Sequence, residues 1–310
     1  MNLNLHTNPP TLQELPGFPG QTVAADCLRL DQVHPVVSGN KWYKLRYWLE
    51  KAKSENKDRL LTFGGAYSNH VVATALAAAL HGLASAAIIR GEEQELNSHT
   101  LQAARRYGMT LYPVSRQLYR QLQETPENIA ADLGEILLKN NTLIIPEGGS
   151  GNDGIRGAAT ILQHLENLSG YTHIAAAVGT GTTLAGLLRS SLPEQQVIGI
   201  SSLKGTDTIT PAIREWVPES RDRFRIWQDF HFGGYARHQP ELFDFMNHLY
   251  DTWNLPTDFV YTAKLLYGIS KLAGRNYFSP GDRILIIHSG GLQGNLSLPQ
   301  GTLNFLSAEA

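Results

Sequence analysis

From residue 59 onward, short apolar runs that end in glycine alternate with segments of helical periodicity. The run RLLTFGG (59–65) precedes a helical segment at 68–83, which Ser68 or Asn69 would open, and ASAAIIRG (84–91) follows it. Parallel strands need a crossover between them, and a helix usually supplies it. The alternation therefore predicts an α/β protein with mostly parallel sheets flanked by helices.

The same alternation continues along the chain. A helix at 98–108 and the strand TLYPV are followed by a helix at 127–141 and the strand segment TLIIPEGG. After the glycine-rich segment 147–157, strands are predicted at HIAAAVG, QQVIGIS and RILIIHSGG, with helices between them. The sequence thus predicts two groups of strands separated by a glycine-rich connection.

Two domains are predicted from this organisation. Residues 1–47 hold too little apolar sequence for a core of their own, so we assign them, with residues 149–310, to one large domain. Residues 48–148 would form a smaller α/β domain inserted into it.

Composition limits the partners of the chain. The 310 residues carry a net charge of -2, and 17% of them are charged, which is unlike a nucleic-acid-binding protein. The single cysteine, Cys27, excludes an internal disulfide and a zinc site built from cysteines, and it fits a reducing compartment. The N-terminal MNLNLHTNPP lacks the features of a signal peptide, and no apolar run is long enough to span a bilayer. We expect a cytoplasmic protein with a small-molecule partner and no membrane contact.

The segment VGTGTTLAG (178–186) links a predicted strand to a predicted helix. Such a turn directs backbone N–H groups and a positive helix end at one point, and Thr180, Thr182 and Thr183 add hydroxyl donors. It therefore suits a phosphate, although an ordinary tight connection would look similar. A dinucleotide fingerprint is not matched, because Leu184 occupies the place of its third glycine.

A second glycine-rich loop, FGGAYSNHVV (63–72), leads from a strand to Ser68, Asn69 and His70. Free amides at this helix start suit a carboxylate, and the Asn69 side chain could reach a phenolic oxygen. Simple helix capping by Ser68 or Asn69 is the alternative.

Lys41 follows Ser38, Gly39 and Asn40 and opens a helical run in SGNKWYKL. Two further segments, FGGYARH and FVYTAKLLYGI, supply Tyr235, Tyr261 and Thr262 after glycines or a strand end, although buried tyrosines commonly only pack. In IIHSGGLQGN a strand runs into Ser289 and two glycines, which let a ligand ring approach the backbone. Zinc-peptidase and serine-hydrolase motifs are absent from the sequence.

A phosphate-binding turn, a lysine at a helix start, an asparagine for a phenolate and a helix end for a carboxylate together meet the needs of pyridoxal phosphate chemistry. The sequence resembles the D-cysteine desulfhydrase and 1-aminocyclopropane-1-carboxylate deaminase family, in the tryptophan synthase β-like group. The resemblance extends from about Asp31 to Asn295. It is carried by SGNKWYKL, GGAYSNH, IIPEGGS, GTGTTLAG, VYTAKLLYG and HSGG.

The resemblance implies a two-domain fold with an interdomain active site, a homodimer, and a role for each matching residue. Lys41 would form the Schiff base with pyridoxal 5'-phosphate, and Ser68, Tyr235 and Tyr261 would share catalysis. The implied cofactor-binding residues are Lys41, Asn69, Gly179, Thr180, Gly181, Thr182, Thr183, Thr262 and Ser289; the implied substrate-binding residues are Ser68, Asn69 and His70.

Thr262 bears on the reaction, because the deaminases carry a glutamate there, facing the pyridine nitrogen, and the desulfhydrases a threonine. A neutral hydroxyl does not stabilise a protonated ring by charge, which favours α,β-elimination over ring opening. Lys41 would remove the Cα proton, the β-substituent would leave, and a 2-oxo acid and ammonia would form.

Other activities stay open. These are 1-aminocyclopropane-1-carboxylate deamination, amino-acid racemisation on the same scaffold, and non-catalytic binding of a phosphorylated metabolite. Ser38, Trp42 and Ala263 depart from the usual residues of the family, which leaves the substrate and its enantiomer unassigned.

Overall fold

The computed structural model describes residues 8–91, 97–125, 141–205, 207–220 and 222–306. Within them the chain forms two mostly parallel sheets flanked by helices, so the predicted α/β class is confirmed. The strands are β1 (Thr11–Glu14), β2 (Ala24–Arg29), β3 (Arg59–Gly65), β4 (Ala84–Arg90), β5 (Met109–Val114), β6 (Thr142–Ile145), β7 (His173–Val178), β8 (Gln196–Ser201), β9 (Phe224–Trp227) and β10 (Arg283–His288). The α-helices are α1 (Asn40–Ser54), α2 (Asn69–Leu80), α3 (His99–Arg106), α4 (Arg116–Glu124), α5 (Asn152–Ala159), α6 (Thr182–Ser190), α7 (Ile209–Trp216), α8 (Pro240–Trp253) and α9 (Thr262–Gly274).

The larger sheet has six strands in the order β1-β2-β10-β7-β8-β9, and only β1 runs antiparallel to its neighbour. Its strand β10 is apolar at every inner position because both faces of the sheet are covered. Leu285 and Ile287 pack into the core on one face, and Ile284 and Ile286 pack into the core on the other.

The smaller sheet has four parallel strands in the order β5-β4-β3-β6. Helix α2 covers one face of it through small side chains such as Ala73 and Ala77, which share a buried cluster with Leu60 of β3. Small residues at these positions let the helix approach the sheet closely.

The predicted strands and helices are largely confirmed. Strand β3 has the predicted bounds, and Ser68 is the N-cap of α2, with its side chain accepting a hydrogen bond from the Val71 N–H. Strands β1, β2 and β9 were not predicted. The helix predicted at 127–141 falls almost entirely outside the described residues. No strand precedes Tyr261, which instead follows a turn and caps α9.

Helix α1 bears on the predicted division into domains. The strands from 11–29 and 173–288 form the larger sheet and those from 59–145 the smaller one, in line with the proposed inserted arrangement. However, α1 runs without interruption across the predicted boundary at residue 47. We therefore keep the division as a proposal and place its exact boundary within this shared helix.

Two observations complete the fold. Cys27 of β2 is fully buried, and burial raises the pKa of its thiol. Within the described part of the chain, no helix has the length and apolar character needed to cross a membrane.

Candidate active site

A cleft of about 1040 Å³ lies at the carboxyl ends of strands from both sheets. Gly65 and Arg90, which end β3 and β4, line it from the smaller sheet. Gly179, Leu203 and Ser289, which follow β7, β8 and β10, line it from the larger sheet. Ligands of open α/β sheets bind at this end of the strands, so the cleft is the candidate active site.

The cleft brings together nearly all of the predicted site residues. The exceptions are Thr182 and Thr262, which are fully buried and do not line it. The residues that do line it are Lys41, Ser68, Asn69, His70, Gly179, Thr180, Gly181, Thr183, Tyr235, Tyr261 and Ser289.

A close backbone contact fixes the position of Lys41. The N–H of Asn40, the first residue of α1, donates to the Ser289 carbonyl over 3.2 Å. The preceding Gly39 has φ +64°, and a Cβ atom there would stand only 1.9 Å from the same oxygen. Only glycine fits such an approach, which explains the Gly-Asn-Lys order at this helix start.

Asn40 connects Lys41 to the glycine-rich turn on the larger sheet. The Lys41 Nζ donates to Asn40 Oδ1 over 2.8 Å, and Asn40 Nδ2 donates to Thr183 Oγ1 over 2.8 Å. Asn40 is buried, so this bridge is shielded from water. The sequence did not point to Asn40, because an asparagine before a helix commonly acts only as a cap.

Two lysine amines lie one helical turn apart at the base of the cleft. Burial lowers the pKa of Lys41 to about 8, with nearby Asp258 opposing the shift. Burial and the charge of Lys41 hold the pKa of Lys44 well below its usual value. Lys44 donates to the Gly148 carbonyl over 3.0 Å, and neither amine has a carboxylate within ion-pair distance among the described residues. A bound anion would favour the protonated form of both amines, so the pair is suited to an anion.

The turn between β7 and α6 has the geometry of an anion-binding loop. Gly181, in the left-handed conformation at φ +82°, is the N-cap of α6, so the first N–H groups of the helix have no intrahelical partner. The Thr180 and Thr182 hydroxyls are 2.9 Å apart, and the Thr182 hydroxyl donates to Ser150 Oγ over 3.3 Å. Thr182 thus supports the turn from within the protein, while Thr180 and Thr183 line the cleft.

The opposite wall begins with Ser68 and Asn69. Ser68 Oγ accepts from the Val71 N–H over 3.3 Å, which leaves its hydroxyl proton available to another acceptor. Asn69 Oδ1 is buried and makes no hydrogen bond within the described structure. A buried amide oxygen without a partner is costly, so this side chain is suited to a polar group in the cleft.

His70 is neutral at the same wall. Burial, together with the charges of Lys41 and Lys44, holds the pKa of His70 well below its usual value. The Thr62 hydroxyl donates to the Ile145 carbonyl over 2.9 Å, so it accepts from His70 Nε2 at 2.9 Å. This assigns the proton to Nε2 and leaves Nδ1, which has no partner among the described residues, as a buried acceptor.

Two tyrosines converge on the cleft from the larger sheet. The ring centroids of Tyr235 and Tyr261 are 6.2 Å apart, and burial raises the pKa of both phenols, so both remain protonated near neutral pH. The loop that carries Tyr235 is fixed by buried Lys264, whose Nζ donates to the carbonyls of His231 and Gly234 over 2.9 and 2.8 Å. Both phenols are therefore positioned as proton donors.

Thr262 is bound to a carboxylate that the sequence did not reveal. The Thr262 hydroxyl donates to Asp258 Oδ1 over 2.7 Å, and the N–H groups of Val260, Tyr261 and Thr262 also donate to this carboxylate. Asp258 is fully buried, and its carboxylate satisfies these N–H groups around the start of α9. The role of Thr262 opposite a pyridine nitrogen stays a prediction.

The comparisons with known proteins agree on one family. Residues 3–290 match the family model described as pyridoxal-phosphate dependent enzyme. A Pyrococcus abyssi protein provisionally named 1-aminocyclopropane-1-carboxylate deaminase is 31% identical over 276 residues, covering 83% of this chain and 81% of that protein. The D-cysteine desulfhydrase of Salmonella paratyphi A is 26% identical over 297 residues, covering 90% of each chain. A crystal structure of a homologue of 1-aminocyclopropane-1-carboxylate deaminase matches with a TM-score of 0.82 and 26% identity, over 94% of this chain and 92% of that one.

Proposed function

Because the chain belongs to the family of pyridoxal-phosphate dependent enzymes, we propose that it is a lyase that removes the β-substituent of a small amino acid. In this reaction the amino acid and one water give a 2-oxo acid, ammonia and the protonated leaving group. D-cysteine, which would give pyruvate, ammonia and hydrogen sulfide, is the reference substrate. The observation that carries the proposal is the Lys41 amine of lowered pKa in one cleft with the 179–183 turn.

The residues of the cleft fit the cofactor. Lys41 would hold its aldehyde carbon, and the Asn69 side-chain amide, which lines the cleft, would donate an N–H to its ring oxygen. The turn at 179–183 would hold its phosphate, and the nearby anion would favour protonation of Lys44, whose pKa burial and Lys41 otherwise hold low. When bound, pyridoxal phosphate withdraws electrons from the Cα of the amino acid.

Lys41 is suited to move the Cα proton. An ordinary lysine is almost fully protonated at neutral pH, whereas a pKa of about 8 leaves a useful fraction of the amine free to accept a proton. Asn40 accepts from the amine and thereby orients it toward the cleft.

The substrate carboxylate would bind at the start of α2. Backbone N–H groups there have no intrahelical partners, and the Ser68 hydroxyl keeps its proton for donation. His70, being neutral, adds no charge but offers Nδ1 as an acceptor for the substrate ammonium. Tyr235 and Tyr261, both protonated, would supply the proton that the departing β-substituent needs.

Deamination of 1-aminocyclopropane-1-carboxylate is the second candidate. It is supported equally by the relatives, and the protonated tyrosine pair could also protonate an opened ring. Position 262 favours elimination, because it holds a neutral threonine and not an ionised glutamate. The Thr262 hydroxyl already donates its proton to Asp258.

The test begins with the cofactor. The purified protein should be yellow, borohydride should bleach it, and Lys41→Ala should abolish the fixed cofactor, while Lys53→Ala on the exposed face of the same helix should not. A colourless protein that takes up no cofactor would contradict the proposal.

The reaction is then tested with D- and L-amino acids and with 1-aminocyclopropane-1-carboxylate. Release of a 2-oxo acid from a β-substituted amino acid supports elimination, whereas 2-oxobutyrate from the cyclopropane supports the deaminase. Exchange of enantiomers without ammonia would identify a racemase. Tight binding of a phosphorylated metabolite, unchanged by Lys41→Arg and without turnover, would identify a binding protein.

We also propose, from the family resemblance and the sequence, that the enzyme is a cytoplasmic homodimer. Sedimentation equilibrium and fractionation of cells would test these two points.

A further inference from the structure

The wall of the cleft built by the smaller sheet carries two guanidinium groups. Arg90 is the last residue of β4, and Arg116 is the first residue of α4, just after β5. In the sheet Arg90 lies opposite Val114, so the two arginines leave neighbouring strands at the same edge. Both line the cleft. Neither has a carboxylate within ion-pair distance in the part of the chain that the structure describes.

Arg90 is oriented by stacking. Its guanidinium lies over the ring of buried Tyr119, 5.4 Å from the ring centroid, and its Nη2 lies 3.6 Å from the position of a Cβ atom on Gly65. Stacking leaves the N–H groups in the guanidinium plane available. By contrast, Arg29 donates to Asp31 and Gln13. An oriented guanidinium without an acceptor is suited to a planar anion.

The one carboxylate among the described lining residues does not satisfy these arginines. Glu147 accepts from Gln123 Nε2 over 2.9 Å and lies beyond ion-pair distance of either guanidinium. Among the described residues the lining holds the basic side chains of Lys41, Lys44, Arg90, Arg116 and Lys204 against Glu147 alone, and the two arginines stay charged even where burial lowers the pKa of a lysine. In the proposed function the cofactor aldehyde uses Lys41, the cofactor phosphate uses Lys44, and the substrate α-carboxylate uses the α2 start. The two arginines are left for another anion.

We propose that the preferred substrate carries a second anionic group on its side chain, held by Arg90 and Arg116. This inference rests on the proposed function, because it names the class of amino acid that the lyase takes. A carboxylate and a phosphate share the required chemistry, and the experiments separate them.

The first experiment compares matched substrates. S-carboxymethylcysteine and its neutral amide, S-carbamoylmethylcysteine, have nearly the same shape and differ by one negative charge; O-phosphoserine supplies the phosphate. For the active enantiomer, kcat/KM for 2-oxo acid release should favour the carboxylate, the phosphate or both over the amide by about tenfold or more. Equal values for the amide and both anions would overturn the proposal.

Variants assign the preference to the arginines. Arg90→Gln and Arg116→Gln should each lower the ratio of kcat/KM for anionic over neutral substrate by about tenfold, mainly through KM. Arg120→Gln is the matched control, because Arg120 is exposed on α4 and does not line the cleft. This variant should keep the ratio unchanged. If Arg90→Gln lowers kcat/KM for both substrates equally, the arginine binds the α-carboxylate and the proposal is wrong.

A binding measurement separates this inference from the proposed function. Calorimetry on the cofactor-loaded protein should show that succinate binds at least about tenfold more tightly than propionate, and that Arg90→Gln removes the difference. If no amino acid yields a 2-oxo acid but succinate binding depends on Arg90, the proposed reaction fails and the anion site stands. If turnover is found but succinate and propionate bind equally, the anion site fails alone.

Discussion

The two walls of the cleft differ in how their polar groups are used. On the larger sheet, groups are joined by hydrogen bonds inside the protein, as in the chain from Lys41 through Asn40 to Thr183. On the smaller sheet, Arg90 and Arg116 are exposed and have no carboxylate partner in the described structure. The first wall is fixed before any ligand arrives, whereas the second keeps its charges available.

This difference suggests a division of roles. A cofactor common to a whole family needs the same fixed geometry in each member, and buried, fully used hydrogen bonds supply it. Substrate choice changes between relatives, and exposed side chains at the strand ends can change without disturbing the core. We expect substitutions on the larger-sheet wall to affect folding and cofactor binding, and those on the smaller-sheet wall, apart from Asn69, to affect substrate preference.

The largest effect is expected at Gly39. Gly39→Ala places a methyl group 1.9 Å from the Ser289 carbonyl at φ +64°, so the backbone must move, at a cost of about 4 kcal/mol. The fraction of the Gly39→Ala protein that remains folded should bind the cofactor poorly. Gly82→Ala is the control, since Gly82 has φ +68° but nothing within 4 Å, and should cost about 1 kcal/mol. Urea denaturation measures the free energy of unfolding of both variants. Equal losses of stability would show that the contact with the Ser289 carbonyl is not the cause.

The next effect concerns Lys44. Lys44→Met removes a buried amine from the cleft that holds the proposed phosphate-binding turn at 179–183, so affinity for pyridoxal phosphate should fall by about 100-fold. Fluorescence titration of cofactor-free protein measures the affinity. Lys53→Met, at an exposed position on the same helix, should leave the affinity unchanged. A small loss of affinity in Lys44→Met would show that cofactor binding does not depend on the Lys44 amine.

The depressed pKa of Lys41 predicts a pH-dependent stability. In the unfolded chain a lysine titrates near 10.4, whereas folded Lys41 titrates at about 8, so below pH 8 the unfolded state holds the proton more favourably. Cofactor-free Lys41→Met should therefore be more stable than the unmodified protein at pH 7 by about 3 kcal/mol. The advantage should shrink as the pH rises from about 8 to about 10. Denaturation at several pH values measures it, and a constant difference would contradict the shift.

The smallest effect tests the other wall. Gly64→Ala places a Cβ atom 2.5 Å from Cγ2 of buried Val71 and 2.8 Å from the Cβ and Oγ atoms of Ser68, so both side chains must shift, at a cost of about 2 kcal/mol. KM should rise because Ser68 is displaced, while cofactor affinity holds. Gly65→Ala meets only Arg90 at 3.6 Å, an ordinary contact, and should change neither stability nor KM appreciably. A loss of cofactor affinity in Gly64→Ala would contradict the proposed division of roles between the two walls.

The parts of the fold that the sequence predicted are those with a strong local pattern. Strand β3 and helix α2 show a continuous apolar run, terminal glycines and a serine cap, which local physics can interpret. Strands β1 and β9 are short edge strands, and β9 has no fully buried residue, so neither leaves a clear pattern. Their positions are set by pairing with distant strands.

The candidate site shows the same limit. Glycine-rich turns at strand ends marked Thr180 and Ser68, because such turns present free backbone N–H groups at a helix start. Asn40, Lys44 and Asp258 escaped notice, since each looks like an ordinary cap or a solvent-exposed helix residue. Helix α1 is buried along much of its surface because it contacts both α2 and α5, and no one-dimensional periodicity reports that burial.

The burial of Cys27 has a practical consequence. The thiol is the only one in the chain, and its fully buried position and raised pKa keep it from reacting with alkylating reagents while the protein is folded. A single cysteine introduced at an exposed site such as Arg120 would then take up a spectroscopic label alone, without removal of the native thiol. The distance between such a label and the coloured cofactor would report movement of one sheet relative to the other.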